Sequence, residues 1–184
     1  MALLGPRTSI LRIVLILWVG AFWRAQAGDA EIEEYQVKAA FLFNFAKFVE
    51  WPAQAFTSAD GPIEICVLGP NPFGSSLDKA VHGKVVGHRT FVVREVRDAQ
   101  QASECHMVFV SASGWARSRA VLGDIKKCCV LTVGETGEFI DGGGIINLKL
   151  EDARVRVEIN PDAAERARLR ISSKLLSLAE IRRR

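Results

Sequence analysis

The sequence lacks the residue patterns that mark most enzymes. Its three histidines, His82, His88 and His106, show neither an HExxH motif nor the paired spacing of metal ligands. The run Ser111–Gly114 is without the first glycine of a GxSxG nucleophile elbow. Gly142–Gly144 precedes a predicted strand, whereas glycines that bind phosphate precede a helix. We therefore expect no catalytic residue, no metal ligand and no cofactor.

Apolar runs long enough to cross a membrane as a helix, which takes about 20 residues, are also missing. The longest run, Ile13–Trp23, has only 11 residues. It follows Arg7 and Arg12 and precedes the small-x-small motif Ala25–Ala27. This order is typical of a secretory signal peptide, which we predict over residues 1–27, followed by a single exported domain over 28–184. A retained membrane anchor is the alternative.

An excess of one charge is absent once the predicted signal peptide is removed. The whole chain has 24 basic and 21 acidic residues, and residues 1–27 contain three of the arginines and no acid. The exported part therefore has 21 groups of each sign. This balance lacks the basic footprint of a nucleic-acid-binding protein. The remaining 157 residues are enough for one domain with its own core.

Strands alternate with helices through the first two thirds of the exported part, which predicts right-handed crossovers and parallel strands. We predict an α/β fold with three layers: a mainly parallel sheet with an antiparallel C-terminal hairpin, and helices on both faces. The predicted elements are helices over Glu31–Trp51, from Asn71-Pro72 to Val81 and over Trp115–Ile125, and strands over Ile63–Gly69, Arg89–Val96, Met107–Ser111 and Cys129–Gly134.

The first helix has a wide apolar arc that includes several aromatic residues. Either this helix is deeply buried, or part of its aromatic face meets a partner or a second copy of the chain. At the other end of the chain, Asn160 and Pro161 suit the start of a helix that ends at Arg168. Ser172 suits the cap of a last helix over Ser173–Ile181.

The hairpin is the most clearly patterned stretch and covers Gly142–Asn160. With Asp152–Ala153 as a two-residue turn, every apolar side chain falls on one face and every polar one on the other. Ala153 fits this turn poorly, because the turn type requires positive φ. We expect Glu158 to ease the like-charge pair Lys149–Arg156. The predicted cross-strand pairs are Glu151–Arg154, Leu150–Val155, Leu148–Val157 and Ile146–Ile159.

The outer face of the hairpin and the segment after it carry many basic side chains. Either this is an ordinary solvated face, or it is a contact surface on which arginines pair with carboxylates of another protein. The residues concerned are Lys149, Arg154, Arg156, Glu158, Arg166, Arg168, Arg170 and Lys174.

Four cysteines are present, none of them in the CxxC spacing of a thioredoxin-type oxidoreductase. Cys66 lies in the first predicted strand and Cys105 at the start of the third. These strands are neighbours in a sheet of order 2-1-3, so a disulfide fits an exported protein. Cys128 and Cys129 are adjacent and point to opposite faces of a strand. Either one is buried and the other is a surface thiol, or they form a strained, redox-sensitive disulfide.

Taken together, these segments resemble the YfiR-type periplasmic repressors of membrane diguanylate cyclases. The resemblance runs in order through essentially the whole exported part. The first helix and the hairpin followed by ISSKLL are its most specific motifs. The segments that carry it are Glu34–Pro52, Ile65–Gly74, Cys105–Ser111, Val130–Glu135, Gly143–Asn160 and Leu169–Ala179.

The resemblance implies a periplasmic, usually dimeric α/β domain. Such a domain binds the periplasmic sensor region of an inner-membrane diguanylate cyclase and holds the enzyme inactive, which limits cyclic di-GMP, exopolysaccharide and biofilm. In the best-known systems an outer-membrane, peptidoglycan-associated lipoprotein sequesters the repressor and frees the cyclase.

The resemblance also implies roles for particular residues. Cys66 and Cys105 match the structural disulfide of the family, whereas a second family disulfide, near Ile140 and Asn147, is missing here. Three residues fall in the region that resembles the functional, partner-binding surface: Glu158, Arg166 and Arg170.

Two other functions are compatible with the sequence. The chain is alternatively a periplasmic small-molecule-binding sensor module, with its pocket at the carboxyl edge of the sheet near Gly69–Gly74 and Ser111–Trp115. An enzyme is the third hypothesis. It predicts a pocket in which a histidine or carboxylate has a hydrogen-bonded partner.

Overall fold

The computed structural model describes residues 31–125 and 129–183 of the 184-residue chain, apart from the side chain of Val121. The signal peptide predicted over residues 1–27 lies outside the described residues, so the division at residue 28 stays a prediction. Within the two described ranges, no helix combines the length and the hydropathy needed to cross a membrane.

Seven strands of the described chain form one sheet, and two short strands form a separate ribbon. The strands are β1 (Val49–Glu50), β2 (Ile63–Leu68), β3 (Phe91–Val96), β4 (Met107–Val110), β5 (Leu131–Gly134), β6 (Ile146–Glu151), β7 (Arg154–Ile159), β8 (Arg170–Ile171) and β9 (Glu180–Ile181). The helices are α1 (residues 31–48), α2 (Ser76–Val81), α3 (Ala99–Ser103), α4 (Trp115–Ile125), α5 (Pro161–Arg166) and α6 (Ser173–Leu176).

The order of strands in the large sheet is β3-β2-β4-β5-β6-β7-β9. Strands β3 to β6 are parallel, β6 and β7 form the antiparallel hairpin, and β9 runs parallel to β7. The ribbon pairs β1 with β8 in antiparallel fashion. The predicted fold class is therefore confirmed, as is the 2-1-3 order of the first three sheet strands.

Helix α1 covers one face of the sheet. Leu42 and Phe45 on this helix are fully buried and share a core with Ile65, Phe109 and Leu131 from three strands. Burying a side chain of this size contributes about 1.5–3 kcal/mol. Carboxylates in the first turn of residues 31–48 suit the positive end of the helix dipole. The predicted helix thus forms where its apolar arc meets the sheet.

The opposite face is covered by α3, α4 and the turn around Phe139. Leu122 and Ile125 on α4 pack with Val108 of β4 in a second core. Phe139 is fully buried there, and a Cβ atom on Gly134 or Gly144 would overlap its ring. The close backbone approach at these two positions therefore requires glycine.

Cys66 and Cys105 form a disulfide whose Cα atoms are 6.1 Å apart. It joins β2 to the residues just before β4, on the face that α3 and α4 cover. Cys129 is buried, has a φ of +66° and is disulfide-bonded. Cys128 lies outside the described residues, so the redox sensitivity of Cys128 and Cys129 stays a prediction.

The hairpin has the predicted register at every pair from Ile146–Ile159 to Glu151–Arg154. Asp152 and Ala153 form the turn with φ of +49° and +57°, so Ala153 does adopt the left-handed conformation. The apolar face of the hairpin was expected to lie on the core and its polar face to be exposed, and two residues depart from this. Leu150 is half exposed at the hairpin tip, and Glu158 on the polar face is buried.

Several predicted boundaries are also wrong, two of them because of a contact with a distant part of the chain. The first helix ends at residue 48, because Val49–Glu50 pairs with Arg170–Ile171. The last helix stops at Leu176, and Glu180–Ile181 instead pairs with β7. Asn71 does not cap α2. Its Oδ1 accepts a hydrogen bond from the Phe73 amide at 2.9 Å, and α2 begins at Ser76.

Candidate functional site

The face of the hairpin that α3 and α4 leave open is lined by polar side chains, and we call it the hairpin polar face. Cys66, Val108 and Thr132 are paired in register, and Gly134, two residues after Thr132, is paired with Asn147. The sheet face that α4 covers therefore continues onto β6, β7 and β9. The hairpin polar face consists of Asn147, Lys149, Glu151, Arg154, Arg156, Glu158 and Glu180.

Glu158 is the buried centre of this face, with a side chain that is only 7% exposed. Asn147 Nδ2 donates a hydrogen bond to Glu158 Oε2 at 2.8 Å. On the other side, Arg182 Nη1 lies 3.9 Å from Glu158 Oε1. The same guanidinium lies 3.9 Å from both Glu180 and Asp141. A buried carboxylate requires such partners, because an unpaired buried charge is strongly destabilising.

Asn147 is fully buried, and its Oδ1 has no hydrogen-bond partner among the described residues. A buried polar atom left in this way costs about 1–3 kcal/mol. The two buried residues of the polar face therefore differ. The Glu158 carboxylate has hydrogen-bond and charge partners, whereas Asn147 Oδ1 has no partner among the described residues.

The outer row of the face is exposed and basic. Lys149 and Arg156 stand opposite each other across the hairpin. Lys149 Nζ lies 3.3 Å from Glu151 Oε1, and Arg156 Nε lies 4.0 Å from Glu151 Oε2. Glu151 thus eases the like-charge pair, so the prediction that Glu158 does so is wrong. Exposed ion pairs of this kind contribute about 0–1 kcal/mol, which leaves these side chains free to meet a partner.

The structure does not gather the three residues predicted for partner binding into one cluster. Among the described contacts, none joins Glu158 to Arg166 or Arg170. Arg170 is exposed on the ribbon, with its Nε 3.9 Å from a carboxylate oxygen of Glu50. Arg166 is exposed at the end of α5 and lines a cavity of about 90 Å³ beside Thr132. Their role in partner binding stays a prediction.

A groove of about 660 Å³ lies between the start of α1 and the hairpin tip. Its floor is apolar, and three glutamates and one arginine form its rim. Val37 and Phe41 of α1 are not fully covered by the described chain, and contact of this helix with a partner or a second copy stays a prediction. The lining residues are Glu31, Glu33, Glu34, Val37, Phe41, Leu150, Ala153, Arg154 and Val155.

A buried ion pair, which the sequence analysis missed, joins α1 to the end of β5. Lys38 is 3% exposed, and its Nζ donates to Glu135 Oε2 at 2.6 Å while also pairing with Glu34. Glu135 Oε1 accepts hydrogen bonds from Tyr35 Oη at 3.2 Å and from the Ala112 amide at 2.6 Å. Burial, and then the charge of Glu135, raise the pKa of Tyr35, so its hydroxyl stays a proton donor.

The histidines show no catalytic arrangement among the described residues. His106 is buried against Phe56, with ring centroids 4.4 Å apart, and its Nδ1 accepts a hydrogen bond from the Glu64 amide at 3.1 Å. Burial lowers the pKa of His106, which keeps the ring neutral and its Nδ1 available as an acceptor. His82 and His88 are exposed.

One group of potential metal ligands occurs in the described part of the chain: Glu64, Cys66 and Cys105. Both sulfur atoms of this group belong to the disulfide, so neither is a thiolate that could bind a metal. Glu64 instead pairs with Arg94, whose Nη1 lies 2.7 Å from its Oε2. This group is a structural one.

The sequence matches the YfiR/HmsC-like family (DUF4154) over residues 35–180. The chain therefore belongs to the YfiR/HmsC-like family. This family is periplasmic, regulatory and non-catalytic, and it is associated with diguanylate cyclase signalling.

No curated protein matches the chain. Among solved structures, a conserved domain protein from Vibrio cholerae O1 biovar El Tor N16961 matches with a TM-score of 0.47 and 12% identity, over 66% of this chain and 55% of that one. The ABC domain in complex with L-Trp from Streptococcus pneumonia matches with a TM-score of 0.43 and 12% identity, over 65% of this chain and 55% of that one. The matched parts thus span about half of those two chains.

Proposed function

We propose that this chain is a non-enzymatic, exported periplasmic regulator that represses an inner-membrane diguanylate cyclase. It binds the periplasmic domain of the cyclase and so limits cyclic di-GMP and biofilm formation. The observation that carries this proposal is the family match, which extends over residues 35–180 and so includes almost the whole described chain. Export by the segment over residues 1–27 places the regulator in the compartment that contains the sensor domain of the cyclase.

The partner-binding surface in this proposal is the exposed basic rim around the hairpin polar face. It includes Arg154 and Arg156 on β7, and the proposal adds Arg166 on α5 and Arg170 on the ribbon as separate contacts. Guanidinium groups suit this task because their planar forks bind carboxylates with two hydrogen bonds. Glu158 acts from below this surface, because its pairing with Asn147 and Arg182 holds β6, β7 and the segment after β9 together.

Two further partners belong to the same proposal. A homodimer fits the family, as does an outer-membrane, peptidoglycan-associated lipoprotein that sequesters the regulator. The α1 side chains that line the groove are not fully covered by the described chain. They are compatible with a contact to another protein molecule, since large exposed apolar patches mark interaction sites.

A pull-down from solubilised membranes tests the cyclase contact. The bait is the tagged exported chain, with and without reductant, and bound proteins are identified by mass spectrometry. We expect recovery of a membrane protein with a diguanylate cyclase domain, and a rise in cyclic di-GMP when the gene for this chain is deleted. Recovery of no such protein, together with unchanged cyclic di-GMP, would overturn the proposal.

Charge reversal then tests the surface. Arg166→Glu with Arg170→Glu reverses two exposed charges, and we expect cyclase binding to weaken by about tenfold or more. The matched control is Lys79→Glu with Lys84→Glu, which reverses two exposed charges near α2 and should leave binding unchanged. Equal binding by the two double variants would contradict the placement of the surface but not the cyclase contact.

A further inference from the structure

We propose that the cleft at the carboxyl edge of the sheet binds a small anion that carries a carboxylate or phosphate group. This edge cleft lies where the sequence analysis placed the pocket of a sensor module. It has a volume of about 430 Å³ and is lined by Leu68, Gly69, Pro70, Glu95, Val96, Arg97, Ser113, Gly114, Arg117 and Ser118. The volume is typical of a small-molecule site.

The topology of the sheet favours a ligand at this position. The chain leaves β2 for β3 on one side, and β4 then lies on the other side of β2. The strand order therefore reverses at β2. In open parallel sheets, the connections that leave the strands there diverge and open a crevice at the carboxyl ends, which is the usual ligand site. The edge cleft is bounded by the carboxyl ends of β2 and β3 and by the residues that follow β4.

Two glycines allow the loops of the cleft to meet. Gly69 follows β2 with a φ of +91°, a backbone conformation that residues with a Cβ atom rarely adopt. A Cβ atom on Gly114 would lie 3.2 Å from the Leu68 carbonyl oxygen. Ser111 fixes the same two loops, because its Oγ lies 3.2 Å from both the Pro70 carbonyl oxygen and Ser113 Oγ. The wall of the cleft is therefore held in place without any ligand.

The charges on the cleft favour an anion. Arg97 and Arg117 both line it, and neither forms an ion pair with a described acidic residue. Unpaired guanidinium groups that face one cavity suit a carboxylate or a phosphate, which accept two hydrogen bonds from each fork. Glu95 opposes such a ligand, although its Oε1 already accepts a hydrogen bond from Asn71 Nδ2 at 2.9 Å.

A serine hydroxyl lines the same cleft as the two arginines. Ser118 is 3% exposed as a residue and belongs to the lining. A hydroxyl group can donate a hydrogen bond to an anionic oxygen. An anionic oxygen bound between Arg97 and Arg117 would accept such a bond from Ser118. The cleft thus presents two positive side chains and one hydroxyl donor to the same ligand.

The test measures binding of inorganic phosphate and of malonate to the purified exported chain by isothermal titration calorimetry. Sodium chloride at matched ionic strength measures any non-specific effect of salt, and the two probes separate phosphate from carboxylate ligands. We expect saturable binding of at least one probe. Arg97→Gln with Arg117→Gln should weaken it by about tenfold or more, since hydrogen bonds to charged groups are strong.

The matched control is Lys79→Gln with Lys84→Gln, which removes two other exposed positive charges near α2 and lowers the net charge equally. This variant should bind the probe as the unchanged chain does, whereas Glu95→Gln should bind it more tightly. Ser118→Ala tests the hydroxyl without loss of charge, and circular dichroism confirms that each variant is folded. The proposal would be overturned if neither probe binds, or if both double variants weaken binding equally.

This experiment uses no cyclase, so its failure leaves the proposed regulator function intact. Conversely, failure of the membrane pull-down would leave the anion site standing. The edge cleft would give the proposed regulator an effector site, and the proposal of this site does not depend on the regulator function.

Discussion

Removal of the Cys66–Cys105 disulfide is the perturbation whose effect follows most directly from the structure. The bond closes a loop over a sequence separation of 39 residues. Chain-entropy arguments assign about 4 kcal/mol at 25 °C to a loop of about this length. Both cysteines are buried, so Cys66→Ala with Cys105→Ala exchanges them for a small apolar residue and introduces no unpaired polar group.

Urea unfolding, followed by far-ultraviolet circular dichroism, measures the effect. With a slope of about 2 kcal/mol per molar, a loss of about 4 kcal/mol lowers the unfolding midpoint by about 2 M. The melting temperature should fall by roughly 8–16 °C, given about 2–4 °C per kcal/mol for a domain of this size.

Reduction supplies the control for this prediction. Reductant also reaches the disulfide of Cys129, so its effect on the unchanged chain combines both bonds. The same reductant added to the double variant reports on the bond of Cys129 alone. A change of less than about 0.5 kcal/mol in the double variant would refute the reasoning, because it would mean that the bond does not restrict the unfolded chain.

Three further predictions concern single contacts. Lys38→Met leaves the Glu135 carboxylate buried without its charge partner, so we expect a loss of about 3–5 kcal/mol in urea unfolding, most of which Lys38→Met with Glu135→Gln should restore. The pKa of His106 is lowered by burial, so the folded state binds fewer protons than the unfolded state, and stability should fall as the pH drops below about 6.5. His106→Gln should flatten this dependence in urea midpoints measured between pH 5 and 8. Ala153→Gly removes the cost of a left-handed Ala at the hairpin turn and should raise the free energy of unfolding by about 1 kcal/mol.

Each of these predictions has a control. His88→Gln changes an exposed histidine and should leave the acid dependence of stability unaltered, so equal flattening in both variants would contradict the assignment to His106. Ala40→Gly lies on the exposed side of α1 and should cost about 1 kcal/mol. The same sign of change for Ala153→Gly and Ala40→Gly would contradict the turn argument. If Lys38→Met with Glu135→Gln restores none of the lost free energy of unfolding, the loss comes from packing and not from the unpaired charge.

The parts of the fold that were predicted correctly are those specified by local patterns. The hairpin register follows from alternation of period two around a two-residue turn, because a slip of one residue would expose Leu148. Helix α4 has its predicted bounds, Trp115–Ile125. The strand order was predictable because alternating strands and helices leave few topologies.

The parts that were missed depend on residues far apart in the sequence. Glu158 is buried because Arg182, on the segment after β9, reaches it, and nothing near Glu158 in the sequence indicates this. The first helix stops at residue 48 because a strand more than a hundred residues later pairs with Val49. Both contacts are tertiary, and local pattern does not contain them.

One missed feature did leave a signal in the sequence. Lys38 lies three residues after Tyr35 and four before Leu42, which places it on the apolar arc of α1. A lysine on such an arc is rarely fully buried unless it is paired. That position alone therefore indicates a carboxylate partner, although it does not show that the partner is Glu135.

Glu135 accepts a hydrogen bond from Lys38 of α1 at its Oε2 and another from the Ala112 amide, beside the edge cleft, at its Oε1. If a protein partner shifts α1 and an anion shifts the turn after β4, both events act on one carboxylate. Thermodynamic linkage then requires reciprocity: whatever factor the anion applies to the affinity for the protein, the protein applies to the affinity for the anion. A regulator built in this way would report the presence of a metabolite to the membrane without any chemical reaction.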